Sequence, residues 1–214
     1  MTAKRSAGST DGRVARAQAT RARVVAVAAD LFTTAGYAPT SIEAIAKAAG
    51  VGVQTVYYAF GTKRAILVAA LDRAVAGDDE PVATLERPWA KAALAEPDPT
   101  EQLRQQVAGA AAIYRRAARL LDLVRSAAAT EPDLAETWRT NIAQRRTVQR
   151  AFATALAGKT TLRGLDVERA ADIALAVLSP ENYNLLVEEC GWPSDQWQNW
   201  ATDALLRQLT DLPR

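Results

Sequence analysis

The sequence predicts an all-α protein built in two helical parts. Three observations carry that expectation. Apolar residues recur at i, i+3, i+4 spacing along most of the chain. Strand-like alternation is absent. Pro and Gly, with Gly109 as the main exception, fall between the periodic segments. The 214 residues are 49% hydrophobic and 23% charged, so a sizeable core is available and general disorder is not expected.

Residues 1–13 begin with the small and polar run MTAKRSAGSTDG and read as a disordered basic arm. A first helix is expected over 14–35, with Val24, Val25, Ala28, Ala29, Leu31 and Phe32 as its stripe and Gly36 as its end. Thr40 and Glu43 have capping-box spacing and start a short second helix ending near Ala48. Ala49-Gly50-Val51-Gly52 reads as a turn, and 53–60 as a short third helix. Gly61-Thr62 restarts the chain into a fourth helix over 63–77.

A connector rich in proline and acid covers 78–99, with a short helix over 88–95. Beyond it, helices are expected over 100–116, 119–129, 132–158 and 166–178. The run Ser179-Pro180-Glu181 is a cap followed by an N1 proline, so the helix resumes to Cys190 with a kink. Gly191-Trp192-Pro193 breaks it, and a last helix covers 195–209.

Composition removes whole classes of chemistry. There is no histidine, so His-based nucleophile systems and His metal sites are excluded. One cysteine excludes an intramolecular disulfide or a Cys-rich metal site. Cys190 reads as a small buried hydrophobe. No metal and no cofactor is expected. No run of about 20 apolar residues is free of charge, and no apolar segment follows the N-terminal cations, so neither a membrane span nor a secretory signal is expected. The expected location is the cytoplasm, on the nucleoid when bound to DNA.

Charge is unevenly divided. Residues 1–64 carry 9 Lys/Arg against 3 Asp/Glu, and residues 65–214 carry 17 against 21. A basic N-terminal third on an acidic remainder suits a polyanion-binding part joined to a body with another task.

Short helix, glycine turn, short helix is the skeleton of a helix-turn-helix. Ala46 suits a close helix crossing, and Gly50 the turn that follows it. Ile45, Val51, Val56 and Phe60 are spaced as the core beneath the pair. Gln54, Thr55, Tyr57 and Tyr58 then face outward. An amide, a hydroxyl and two phenols, with no charge, suit hydrogen bonds to base edges and phosphates better than a solvated face.

These residues resemble the TetR (tetracycline-repressor-like) transcriptional regulators. The resemblance runs from Arg21 to Leu67, through Val24-Val25, Ala28-Ala29, Leu31-Phe32, Gly36-Tyr37, Thr40-Ser41, Ile45-Ala46, Ala49-Gly50-Val51, Thr55-Val56-Tyr57, Phe60 and Lys63. Gly52 departs from it, standing where a capping serine is usual. The resemblance implies three N-terminal DNA-binding helices (residues 14–62), a linking helix (63–77), and a ligand-binding and dimerisation domain (78–214). It further implies that Thr40, Ser41, Tyr57 and Lys63 touch phosphates. Val53, Gln54, Thr55 and Tyr58 would face bases. Lys63 has independent support, because it opens a helix whose N-terminus attracts phosphate. The cations of the arm are either an inert tail or a minor-groove contact.

In the body, Trp89, Tyr114, Trp138, Asn141 and Phe152 are candidates for a ligand pocket, with ordinary packing as the alternative. Arg115, Arg116 and Arg119 cluster near an expected helix end. They either answer the helix dipole or anchor an anionic ligand. Trp197, Trp200, Ala204 and Leu205 share a wide apolar face, which with Tyr183 suggests a homodimer interface.

The function expected from these features is a ligand-responsive transcriptional regulator, a repressor. It would bind a pseudo-palindromic double-stranded operator as a homodimer and be released by a small-molecule effector. An activator or a corepressor-dependent regulator of the same fold is the alternative. An enzyme is the rival class, and the sequence offers no paired-carboxylate, phosphate-loop or metal signature to support it.

Overall fold

The computed structural model describes residues 7–80 and 82–211, with side chains from residue 12 onward. Among the described residues the chain is mostly helical, apart from segments connecting the α-helices, the longest between Ala76 and Pro88, and an isolated antiparallel bridge between Leu162 and Thr210. It divides into two compact units, and the division falls between Arg73 and Ala74, inside the linking helix expected over 63–77.

The first unit contains α1 (Ala7–Ala35), α2 (Ile42–Ala49), α3 (Val53–Phe60) and most of α4 (Lys63–Ala76). Helix α1 starts ahead of the expected Val14, so residues 7–13 of the expected disordered arm are helical. Lys4 and Arg5 lie outside the described residues. Val24, Val25, Ala28 and Phe32 of α1 bury against Ile45 and Ala46 of α2, Val56 of α3, and Ile66 and Leu67 of α4. Each short helix adds one or two fully buried side chains. Neither α2 nor α3 is long enough to be stable alone, so packing holds them.

Local signals end each helix. Gly50 takes the left-handed conformation at φ 64°, ψ 39°, and its N–H closes on Lys47. The cap of α2 is Ser41, not the expected Thr40. Ser41 Oγ accepts from the Ala44 N–H at 3.1 Å. Thr40 instead turns inward and donates to the carbonyl of Gly36 at 2.7 Å, covering the end of α1. The Glu43 carboxyl is held below its ordinary range by bonds to its own backbone N–H and to the Ser41 hydroxyl. Thr62 caps α4 by accepting from Ala65 N–H at 3.1 Å.

The second unit holds α5 (Pro88–Ala95), α6 (Pro99–Ala127), α7 (Pro132–Ala157), α8 (Val167–Val177), α9 (Pro180–Tyr183) and α10 (Ser194–Leu209). The expected helices 100–116 and 119–129 are one helix, α6. Ala117 and Ala118 lie between them and are both buried, and nothing in that stretch breaks a helix. Helix α6 is the axis of the unit, with α5, α7, α9 and α10 packed around it. Its buried residues therefore lie on several faces, and many are alanine, which lets the neighbours approach closely.

The kink at Ser179-Pro180 is present. Ser179 caps α9 by accepting from Asn182 N–H at 3.1 Å. The chain then continues as a π-helical segment, Asn184–Glu189, instead of the regular helix expected to Cys190. Cys190 is exposed, not buried as expected, because this segment leaves the core before reaching it. The buried glutamines Gln102, Gln106 and Gln149 of this unit are hydrogen-bonded, while the buried Trp197 Nε1 and Asn184 Oδ1 have no partner among the described residues. Gln106 donates to Gln149 at 2.6 Å, and Gln102 donates to the carbonyl of Phe152 at 3.0 Å.

Candidate nucleic-acid interface

Helix α3 buries Val56 and turns the rest of its side chains partly or fully outward. Tyr58 is 95% exposed and Tyr57 43% exposed, while Gln54 and Thr55 are also exposed and Val53 is half-buried. A tyrosine left almost wholly in water gains nothing for the fold from its ring. The helix carries no charged residue, so its outer face offers only hydrogen bonds and aromatic surface. Gly52 provides no side-chain cap, as its lack of a hydroxyl requires.

The frame under this face is tied from outside the pair. Arg21 of α1 donates to the carbonyl of Ala59 at 2.8 Å, and its guanidinium lies 4.2 Å from the Phe60 ring centre. It therefore pins the C-terminal end of α3 to α1. Arg73 of α4 donates to the carbonyl of Ala22 at 2.9 Å and ties α4 to the same helix. Arg21 stands within the family-like run, but only the fold reveals its partner, 38 residues away.

Two residues expected at phosphates are otherwise engaged. Thr40 is 4% exposed and its hydroxyl serves α1, so it is not displayed. Lys63 bends back to the turn after α1. Its ammonium donates to the carbonyls of Tyr37 at 2.9 Å and Ala38 at 3.4 Å, and sits 4.2 Å from the Tyr37 ring centre. A turn and a helix start are thereby clamped together. Ser41 remains on the surface at the start of α2.

The model for the bacterial regulatory proteins of the tetR family matches residues 24–70. The chain carries the DNA-binding domain of a TetR-family regulator. The matched segment contains α2, α3 and their turn, together with the buried face of α1. Solved structures extend the likeness to the second unit. A putative transcriptional regulator from Saccharomonospora viridis, solved in complex with choline, has a TM-score of 0.70 at 18% identity, covering 91% of this chain and 100% of that one. A putative TetR-family regulator from Rhodococcus sp. gives 0.68 at 17% identity, over 89% and 98%. A TetR regulator from Chloroflexus aurantiacus gives 0.66 at 22% identity, over 91% and 98%. At these identities the neighbours establish the TetR-like fold. No curated protein matches the sequence.

The regulator's expected ligand residues fall into two groups. Trp89 stacks on Phe152 at 6.3 Å between ring centres, beside α5. Tyr114 lies apart from them, in a cluster with Tyr183 and Trp197, and donates to the carbonyl of Leu178 at 2.5 Å. Burial pushes its phenol up to about 12. Trp138 and Asn141 lie along α7 with Arg145, which donates to Asn141 at 2.9 Å, faces the Trp138 ring and also hydrogen-bonds the Tyr114 hydroxyl, so these three candidates meet at one arginine.

The expected dimer residues also separate. Tyr183, Trp197 and Leu205 are buried within the unit, so they are core and not surface. The apolar face of α10 is wide enough to have two parts, and α6 and α8 cover the larger one. Trp200 remains exposed beside Trp192, and Ala204 is half-buried. Among the described residues, no helix is long and apolar enough to cross a membrane.

Proposed function

We propose that this regulator is a ligand-responsive transcriptional repressor that binds a pseudo-palindromic operator as a homodimer and is released by a small molecule. The observation that carries the reading is the outer face of α3, where Gln54, Thr55, Tyr57 and Tyr58 are offered to solvent by a helix that has no charge. Gln54 suits bidentate pairing with adenine, and the phenols suit phosphate or base contacts. A palindrome asks for two such helices about 34–36 Å apart, or a small multiple of that spacing. The exposed apolar side chains Leu185 and Trp200 support a surface for a second copy. The choline held by the Saccharomonospora viridis neighbour supports a small-molecule site in this fold, without fixing the ligand here.

The test is selection of genomic fragments on immobilised protein at about 50 and 200 mM salt, with Gln54→Ala and Tyr58→Ala alongside. An inverted repeat, recovered at both salts and lost in the variants, is the expected result. Tyr58→Ala should leave thermal stability within about 0.5 kcal/mol, since the residue is surface. Binding at low salt only, with no shared sequence, would refute specific readout. Sedimentation of the protein with the recovered repeat should show two chains per site.

A further inference from the structure

Two surface grooves of ligand size among the described residues of the second unit can be compared. One, of about 880 Å³ between α6 and α10, is lined by cations that are already paired: Arg104 with Glu101, Arg207 with Asp203, Arg163 with Asp211. The other, of about 710 Å³, differs in kind. Its floor is Gly109, Ala112 and Ile113 of α6, with part of the Trp89 ring beside them, and Arg87 and Arg116 stand at its polar end. It lies wholly within the second unit, and its size suits a small organic molecule.

The two arginines are not equivalent. Arg87 is neutralised by a two-pronged pair with Asp78. Arg116 binds three carbonyl oxygens and no carboxylate among the described residues. Its Nε donates to Ala74 at 2.9 Å, one Nη to Val75 at 3.1 Å and the other to Ala112 at 2.7 Å. A guanidinium has five N–H donors, so one remains on each terminal nitrogen. That is the pair a carboxylate bridges. Partial burial and the nearby charges of Arg115 and Arg87 press against the cation, and Asp78 relieves it only through space. The groove, which Asp78 and Gln105 also line, thus joins an apolar wall to a cation that has no direct ion-pair partner among the described residues.

We infer that this groove binds an amphipathic carboxylate, its aromatic or aliphatic body on Trp89 and the α6 floor and its carboxylate on Arg116. The inference rests on the regulator reading for what such a ligand would control. The same guanidinium holds the carbonyls of Ala74 and Val75, in the last turn of α4. That helix starts at Lys63, within the DNA-binding unit. A ligand on Arg116 therefore acts on the group that fixes the end of the connecting helix.

The probes are 1-naphthoate, its uncharged amide 1-naphthamide, and choline, titrated into the full-length protein by calorimetry. Saturable binding of naphthoate is expected. Affinity should fall at least about tenfold for the amide and for Arg116→Gln, the loss of one charged hydrogen-bonding group. Arg116→Gln also removes bonds to α4, so Ala92→Phe, an exposed position on the groove wall, serves as a second variant and should block binding by filling the space. Equal binding of acid and amide, choline binding in place of naphthoate, unchanged affinity in both variants, or no saturable binding of naphthoate would each overturn the inference. Operator binding, scored separately, tells this failure from failure of the regulator reading. Operator bound with no carboxylate bound refutes only the groove. Arg116-dependent carboxylate binding with no operator refutes only the regulator.

Discussion

Replacing Gly109 with alanine should destabilise the protein, although the position lies in the middle of a helix. Helix propensity alone predicts the opposite, a gain of about 0.8–1 kcal/mol. The packing decides the sign. A Cβ built at Gly109 would stand 2.2 Å from Cζ3, 2.4 Å from Cε3 and 2.7 Å from Cη2 of Trp89. Ordinary carbon contacts lie near 3.5–4.0 Å, so the ring would have to retreat by about 1 Å or more. Retreat toward Phe152, on which it is stacked and which is 1% exposed among Ala90, Ala93 and Val148, is blocked, and retreat toward the groove would give up that stack. Forcing a methyl into such packing costs about 1–3 kcal/mol, and this overlap lies at the upper end. The net change is a loss of about 1–2 kcal/mol. All five tryptophans lie in the second unit, so denaturant unfolding followed by tryptophan fluorescence reads that unit alone. Trp89→Leu supplies the control. In that background Gly109→Ala should recover most of its helix-propensity gain. A stabilised single variant, or the same loss in both backgrounds, would show that the Trp89 contact does not govern the position.

Other expectations follow from single contacts. Lys63→Met keeps the stem but removes the bonds to the Tyr37 and Ala38 carbonyls, so it should lower the first unit's stability by about 1 kcal/mol. Far-UV circular dichroism during unfolding reads this. Unchanged stability with weakened operator binding would instead make Lys63 a phosphate contact. Gln106→Leu leaves the buried Gln149 amide unpaired and should cost about 1–3 kcal/mol, while the Gln106→Leu, Gln149→Leu pair should restore most of the loss. Tyr114 should ionise only near pH 12, against an ordinary value of 10.0. Its raised native value favours the neutral phenol in the fold. That contribution to stability is complete below pH 10 and is lost as pH rises towards 12. Alkaline titration of tyrosine absorbance, with Tyr114→Phe as reference, checks it.

The local features of this protein were legible because short-range rules produce them. Gly50 ends α2 for a reason visible in three residues, and Ser179-Pro180 restarts a helix for a reason visible in two. The outward face of α3 follows from helical periodicity once Val56 is placed in the core. Thr40 and Ser41 show where this legibility ends. Both hydroxyls have capping chemistry, and only the approach of the end of α1 draws one inward and leaves the other at the cap.

What the sequence determined by itself is the class of fold, the helix-turn-helix and the outward display of the uncharged face of α3, since these depend on spacing within a few turns. The tertiary structure decided which side chains share a site. Trp89, Tyr114 and Trp138 were equivalent aromatics in the sequence, yet the packing of four helices around α6 sends Trp89 to Phe152 and brings Tyr114 and Trp138 to opposite sides of Arg145. Trp197 and Trp200 lie three residues apart, and one is fully buried while the other meets solvent. Arg116 was one of three clustered arginines until the fold brought it to the end of α4. Such assignments depend on contacts between residues tens of positions apart, and no local pattern encodes them.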